Sequence, residues 1–91
     1  MTIHTLYTLS NTTATRITPN KLHSGMDITI QNVNDSGYIY VGEEGVTSTS
    51  YGFRIMPNHS ISFELPGYNE LFLISSVNAM KAAVIKIGLE K

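Results

Sequence analysis

Gly25-Met26-Asp27-Ile28-Thr29-Ile30-Gln31-Asn32-Val33 is followed by Tyr38-Ile39-Tyr40-Val41-Gly42, then by Gly52-Phe53-Arg54-Ile55-Met56-Pro57, Ser60-Ile61-Ser62-Phe63-Glu64-Leu65 and Glu70-Leu71-Phe72-Leu73-Ile74. In the first run Met26, Ile28 and Ile30 alternate with Asp27, Thr29 and Gln31, the period of a strand with one face in a core. Ile61, Phe63 and Leu65 alternate in the same way with Ser60, Ser62 and Glu64. Leu71–Ile74 is apolar throughout, as expected of a strand covered on both faces. Tyr38–Val41 also has apolar residues on both sides. The punctuation between these runs is turn chemistry. In Asn34-Asp35-Ser36-Gly37, Asn and Asp bond their own backbone and Gly accepts a positive φ, so a hairpin is expected there with Tyr38–Val41 as the return strand. Pro57-Asn58 and Pro66-Gly67 are further turns.

Working outward, Thr2–Leu9 alternates with Ile3, Thr5, Tyr7 and Leu9 on one face and His4, Leu6 and Thr8 on the other. Asn11–Ala14 reads as a turn, Thr15–Thr18 as a short strand and Pro19-Asn20 as another turn. At the far end Ser75–Met80 reads as a turn, with room for one helical turn near Val77–Lys81. Lys81–Leu89 reads as a closing strand with Ala83, Ile85, Ile87 and Leu89 inward and Lys86 outward. No long amphipathic helix, internal repeat or linker is present. Seven or eight short strands at roughly ten-residue spacing predict an all-β fold, a small antiparallel β-sandwich or jelly-roll-like barrel. Residues 1–91 are expected to form a single domain, with 1–21 as an N-terminal arm; such arms often belong to a sheet, but some lie on a neighbouring subunit instead.

The chain has 91 residues, no cysteine and a net charge of −1, with 14% charged residues. A chain this short buries only about 60–65% of its unfolded surface, so support from a partner or from self-association is expected. Charge lies well below the roughly 25% usual in soluble domains, and Ser, Thr and Asn take its place. Nucleic-acid partners call for a basic face, which is missing; an anionic membrane surface is not expected either. No apolar run reaches the roughly 18–20 residues that span a bilayer as a helix. Met1–Thr5 lacks the basic and apolar regions of a signal peptide, so synthesis in a cytoplasm is expected.

Little here points to chemistry. His4, His23 and His59 have no metal-ligand spacing, and cysteine-based zinc sites are excluded. Glu43-Glu44 between Gly42 and Gly45 lacks the acidic spacing of a calcium loop. Gly42-x-x-Gly45 is not followed by the Lys-Ser/Thr of a phosphate loop, and no Gly-x-Ser-x-Gly elbow occurs. Paired carboxylates of the glycosidase kind need a cleft that so small a sandwich rarely forms. Neither an enzyme nor a cofactor or metal is expected. What remains is contact: Tyr38, Tyr40 and Tyr51 as protein-contact or sugar-stacking rings, and Gly42–Tyr51 as the longest surface loop. Phe63 and Phe72 read as core.

The quoted phrases, namely Asp-Ile-Thr-Ile-Gln-Asn, Tyr-Val-Gly before Gly45-Val46-Thr47-Ser48, Gly52-Phe53-Arg54-Ile55 leading to Pro57, Ser62-Phe63-Glu64-Leu65 and Glu70-Leu71-Phe72, resemble a family of small tailed-phage virion structural proteins. The likeness runs from Gly25 to Ile74, with the closing strand Ala82–Ile87 also in place; it leaves out Met1–Lys21 and rests on fold-forming residues. The resemblance implies a capsid decoration, or cement, protein on the virion exterior. Its expected partner is the major capsid protein, and it is expected to be a homo-oligomer, with a trimer favoured. The expected contact residues are Ile3, Leu6, Tyr7 and Leu9 of the arm, with Tyr38, Tyr40, Glu43, Glu44 and Tyr51. The arm could add a strand to a neighbour's sheet edge. The alternatives are a neck, tail or fibre-associated virion protein and a small carbohydrate-binding adhesin module.

Overall fold

The computed structural model describes residues 2–18, 25–65 and 70–88. They form eight strands: β1 (Thr2–Leu9), β2 (Thr15–Arg16), β3 (Met26–Asn32), β4 (Ile39–Gly42), β5 (Phe53–Ile55), β6 (Ser60–Leu65), β7 (Phe72–Ser75) and β8 (Met80–Gly88). Two antiparallel four-stranded sheets result, one ordered β1-β8-β3-β6 and the other β2-β7-β4-β5. They are called sheet A and sheet B below. The all-β sandwich expected from the alternation is what forms. Its strand order, with most connections crossing between the sheets, is that of a jelly roll.

The core lies between the sheets. Ile28, Ile30, Leu65, Met80, Ala82 and Val84 of sheet A meet Ile39, Val41, Ile55 and Leu73 of sheet B, with Leu9 and Ile17 closing the ends. The alternation of β3 and β6 holds as read: Ile28 and Ile30 are fully buried, and Ile61 and Phe63 pack against the core from the edge. β7 is buried at all four positions.

Several expectations are corrected. Asn34–Gly37 does not close a hairpin. β3 pairs with β6 and β8, whereas β4 pairs with β5 and β7, so this turn is an arch between sheets. Turn residues bend the chain in the same way in either case; the partner is chosen by burial of both faces of β4. Gly37 does take the positive φ expected of it, at 89°. Residues 77–79 form a turn and no helix, with Ala79 at φ 68° and β8 starting at Met80.

Of the two places open to the N-terminal arm, the structure shows the sheet of its own chain. Residues 2–9 pair with β8 of the same chain over eight residues, from Thr2 opposite Ile87 to Leu9 opposite Met80. Residues 15–16 pair with β7. Ile3, Thr5, Tyr7 and Leu9 do share a face, but it is the inner one, and Leu9 is 2% exposed.

The phase of β8 is inverted relative to the reading above. Met80, Ala82 and Val84 point inward, whereas Ile85 and Ile87 lie on the outer face. Val84 is in register with Ile30, and Ile85 with Thr29. Both faces of this strand are apolar, so period two alone could not assign the inner one. Lys86 takes the inner phase opposite Ile3 and Ile28 at the end of the sandwich. Its stem runs along the core and its Nζ donates to the Ile17 carbonyl at 2.9 Å, the usual way a long cation lies over apolar surface. Leu89 and His23 lie outside the described residues, as does the turn Pro66-Gly67.

Candidate functional site

The sandwich has two outer faces, and the sequence treats them differently. On sheet B the outward positions are Arg16, Phe72, Ile74, Tyr40 and Arg54, by their register. This face is roofed by its own loop. Val46 is buried and, with Tyr40, Phe72 and Ile74, builds a second small core that Ala14 flanks. The loop holds its shape through Val46 N–H to Glu43 C=O at 2.9 Å, a Thr47–Ser50 pair of backbone bonds, and Gly52 N–H to Val41 C=O at 2.8 Å. Gly42 makes the closure fit: a Cβ there would lie 2.9 Å from Val46 Cγ2.

The aromatic rings of this face are used internally. Tyr51 stacks on Tyr40 with centroids 4.7 Å apart. Arg54 lies over Tyr38 at 4.8 Å, and Arg16 over Phe72 at 5.2 Å; cation–π contacts of this kind hold side chains flat against a sheet. Tyr40 is 8% exposed, so it is a core residue and not a contact residue. Tyr38 and Tyr51 are exposed, as are Glu43 and Glu44 at the loop tip. Glu43, Gly45, Val46, Ser50 and Tyr51 line a half-open hollow of about 340 Å³.

Sheet A presents the opposite case. Its outer face carries Leu6 of β1, Ala83, Ile85 and Ile87 of β8, and Thr29 and Gln31 of β3, by register. Leu6 is 60% exposed, and Ile85 and Ile87 are exposed beside it. Leu6 and Ile85, with His4, Ala83, Thr29 and Gln31, line a shallow depression of about 250 Å³ running across the three strands; Ile87 lies beyond it, opposite Thr2 and Asp27. The polar neighbours of this strip include hydroxyls and amides, with Thr29 Oγ1 2.8 Å from Ser62 Oγ, and the carboxylate of Asp27 opposite Ile87. Lys81 reaches Thr8 Oγ1 at 2.8 Å at one end. An apolar strip of this kind on the middle strands of a sheet is the feature that marks a contact surface.

The residues expected at contacts are therefore divided. Leu6 lies on the open face of sheet A; Ile3 is half exposed at the end of the inner face; Tyr7 packs against the core, and Leu9 is within it. Tyr38, Glu43, Glu44 and Tyr51 lie on the far side of the molecule, over sheet B. Ala83, Ile85 and Ile87, the main part of the open strip, were assigned inward by periodicity. The signal that could have found them is that Ala82–Ile87 offers two apolar faces and a sandwich strand needs only one.

No cluster resembling an active centre is formed among the described residues: no three of their His, Asp and Glu side chains converge closely enough to hold a metal ion. His4 lies on the outer face of sheet A. His59 lies in the turn after Pro57, with Nδ1 2.9 Å from the Pro57 carbonyl oxygen. No helix among these residues is long and apolar enough to cross a membrane.

A scan against protein-family models finds no match, and a search of curated proteins finds none either. Among solved structures, the chain is similar to one described under the heading "Bacillus endospore appendages form a novel family of disulfide-linked pili", with a TM-score of 0.57 and 17% sequence identity. The match covers 99% of this chain and 87% of that one. At this identity the likeness concerns the fold, and it extends over both sheets.

Proposed function

We propose that the chain is a non-enzymatic structural subunit of a tailed-phage virion, a capsid decoration protein that lies on the shell exterior and bridges major capsid proteins. The observation that carries this reading is the difference between the two outer faces: sheet B is roofed by residues 43–51, and sheet A leaves Leu6, Ile85 and Ile87 open, with its charges at the ends of the face, Asp27 and Glu64 at one and Lys81 at the other. Covering the apolar strip favours docking, and the partner must meet the carboxylates of Asp27 and Glu64 at its end. Many copies on a repeating lattice then need only weak individual contacts, because engagement through a shared shell raises the effective concentration. The partner and its location come from the resemblance of Gly25–Ile74 to phage virion proteins.

A second reading, a filament subunit, is favoured by the pilus protein of similar fold. Those pili are described as disulfide-linked, a linkage that this cysteine-free chain cannot copy. Quantitative mass spectrometry of purified virions tests the first reading. A fixed stoichiometry to the major capsid protein supports decoration. A handful of copies moves the protein to the neck, tail or fibre, and absence from virions overturns the proposal.

A further inference from the structure

Sheet A has four antiparallel strands, and an even number leaves its two edges, β1 and β6, running in opposite directions. A second copy placed beside the first in the same orientation therefore brings its β6 antiparallel to β1. The edges differ in how they are protected. In sheet B both are short and carry arginine: β2 has two residues with Arg16, and β5 has three with Arg54. β1 has eight residues and contains no Lys, Arg, Asp, Glu, Pro or Gly. Long uncharged edges are those most ready to accept another strand.

Taking the chain as an assembly subunit, as above, we propose that copies join head to tail, β1 of one against β6 of the next, into one continuous sheet. The register that keeps inner face with inner face and uses all six residues of β6 sets Ile3 opposite Leu65, His4 opposite Glu64, Leu6 opposite Ser62 and Tyr7 opposite Ile61. Within one copy Glu64 stands directly across from Asp27 on the outer face. Like charges so placed repel, and among the described residues neither carboxylate has a salt-bridge partner. His4 of the neighbour brings a ring N–H to that carboxylate. On the inner face, half-exposed Ile3 and partly buried Ile61 and Phe63 gain cover. The contact is heterologous, so it closes into a ring of three or more copies or continues as a filament.

The chain has no cysteine, so engineered thiols report unambiguously. Leu6→Cys and Ser62→Cys lie at exposed outer-face positions and disturb no core contact. When the two single variants are mixed and oxidised, covalent joining of Leu6→Cys chains to Ser62→Cys chains is expected. The double variant should give a ladder of species beyond the dimer. Circular dichroism confirms that each variant folds. Cross-linking of Leu6→Cys chains only to one another would mean a two-fold β1–β1 contact and overturn the proposal, as would the absence of cross-links. Light scattering that shows a dimer at all concentrations also overturns it. None of these results depends on whether the protein is found in virions, so the two proposals fail separately.

Discussion

Asn34 Nδ2 donates at 2.7 Å to Oδ1 of the fully buried Asn32 and at 2.7 Å to the Lys81 carbonyl, which ties the first arch to β8. Asn32 in turn donates to the carbonyls of Gly37 and Ile55, at 3.2 and 3.0 Å, and its backbone exchanges bonds with Asn58 and His59. One buried amide thus joins β3, two arches and both sheets, and every side-chain hydrogen-bonding group it has is satisfied.

Asn32→Ala removes that joint and leaves two buried carbonyls and the Asn34 donors short of partners. Each unsatisfied group costs about 1–3 kcal/mol, so a loss of roughly 3 kcal/mol is expected in urea unfolding. A loss below about 1 kcal/mol would show that water takes the place of the amide.

Two turn positions should respond with opposite signs. A Cβ at Gly37 would lie 2.8 Å from Met80 Sδ at φ 89°, so Gly37→Ala should destabilise by about 1–3 kcal/mol. Ala79 is an L-residue at φ 68°, and Ala79→Gly should raise stability by about 0.5–1 kcal/mol. Thermal midpoints of the two variants check both signs together.

Deleting residues 2–9 should unfold the domain. The deletion exposes the length of β8 and removes Leu9, and a buried leucine alone is worth about 2–5 kcal/mol against a total of about 5–15. A truncated protein that keeps the β-sheet circular dichroism spectrum and a cooperative melt would contradict the role given to β1.

The open strip and the core separate by mutation. Leu6→Ser with Ile87→Thr should change stability by under about 1 kcal/mol, since exposed positions usually contribute little, yet abolish binding to assembled shells in a co-sedimentation assay. Retained binding would move the contact elsewhere on the surface.

Val46→Asp should lift the roof from sheet B. The variant should be cut by protease between Glu44 and Tyr51 far faster than the parent, with the rest of the fold intact. Unchanged cleavage would mean that Val46 does not hold the loop down.

Much of this fold is legible in the residues. The spans of β3 and β6, their inner faces and the role of Gly37 follow from period two and turn chemistry, and the apolar run Leu71–Ile74 marks β7 to within one residue of its observed span, Phe72–Ser75. What escapes is long-range. Tyr40 looks like a contact tyrosine until Val46 and Tyr51 fold over it from a loop. Ile85 and Ile87 look like core until register with β3 sets Val84 inward. Asn34–Gly37 looks like a hairpin because local turn preferences do not report which sheet the next strand joins. Of the expected contact residues, Leu6 alone falls on the open face of sheet A. Its apolar companions there, Ala83, Ile85 and Ile87, come from the other end of the chain.

Thr2 and Ile87 are cross-strand partners at one corner of sheet A. Both ends of the described chain therefore leave from the same point, about 5 Å apart. Thr2 lies on the edge strand β1 and Ile87 on its neighbour β8, so both positions sit at one side of sheet A. Joining the two ends with a short linker and reopening the chain at the tip of the 43–51 loop would keep every strand pair and change only the order in which the strands are made.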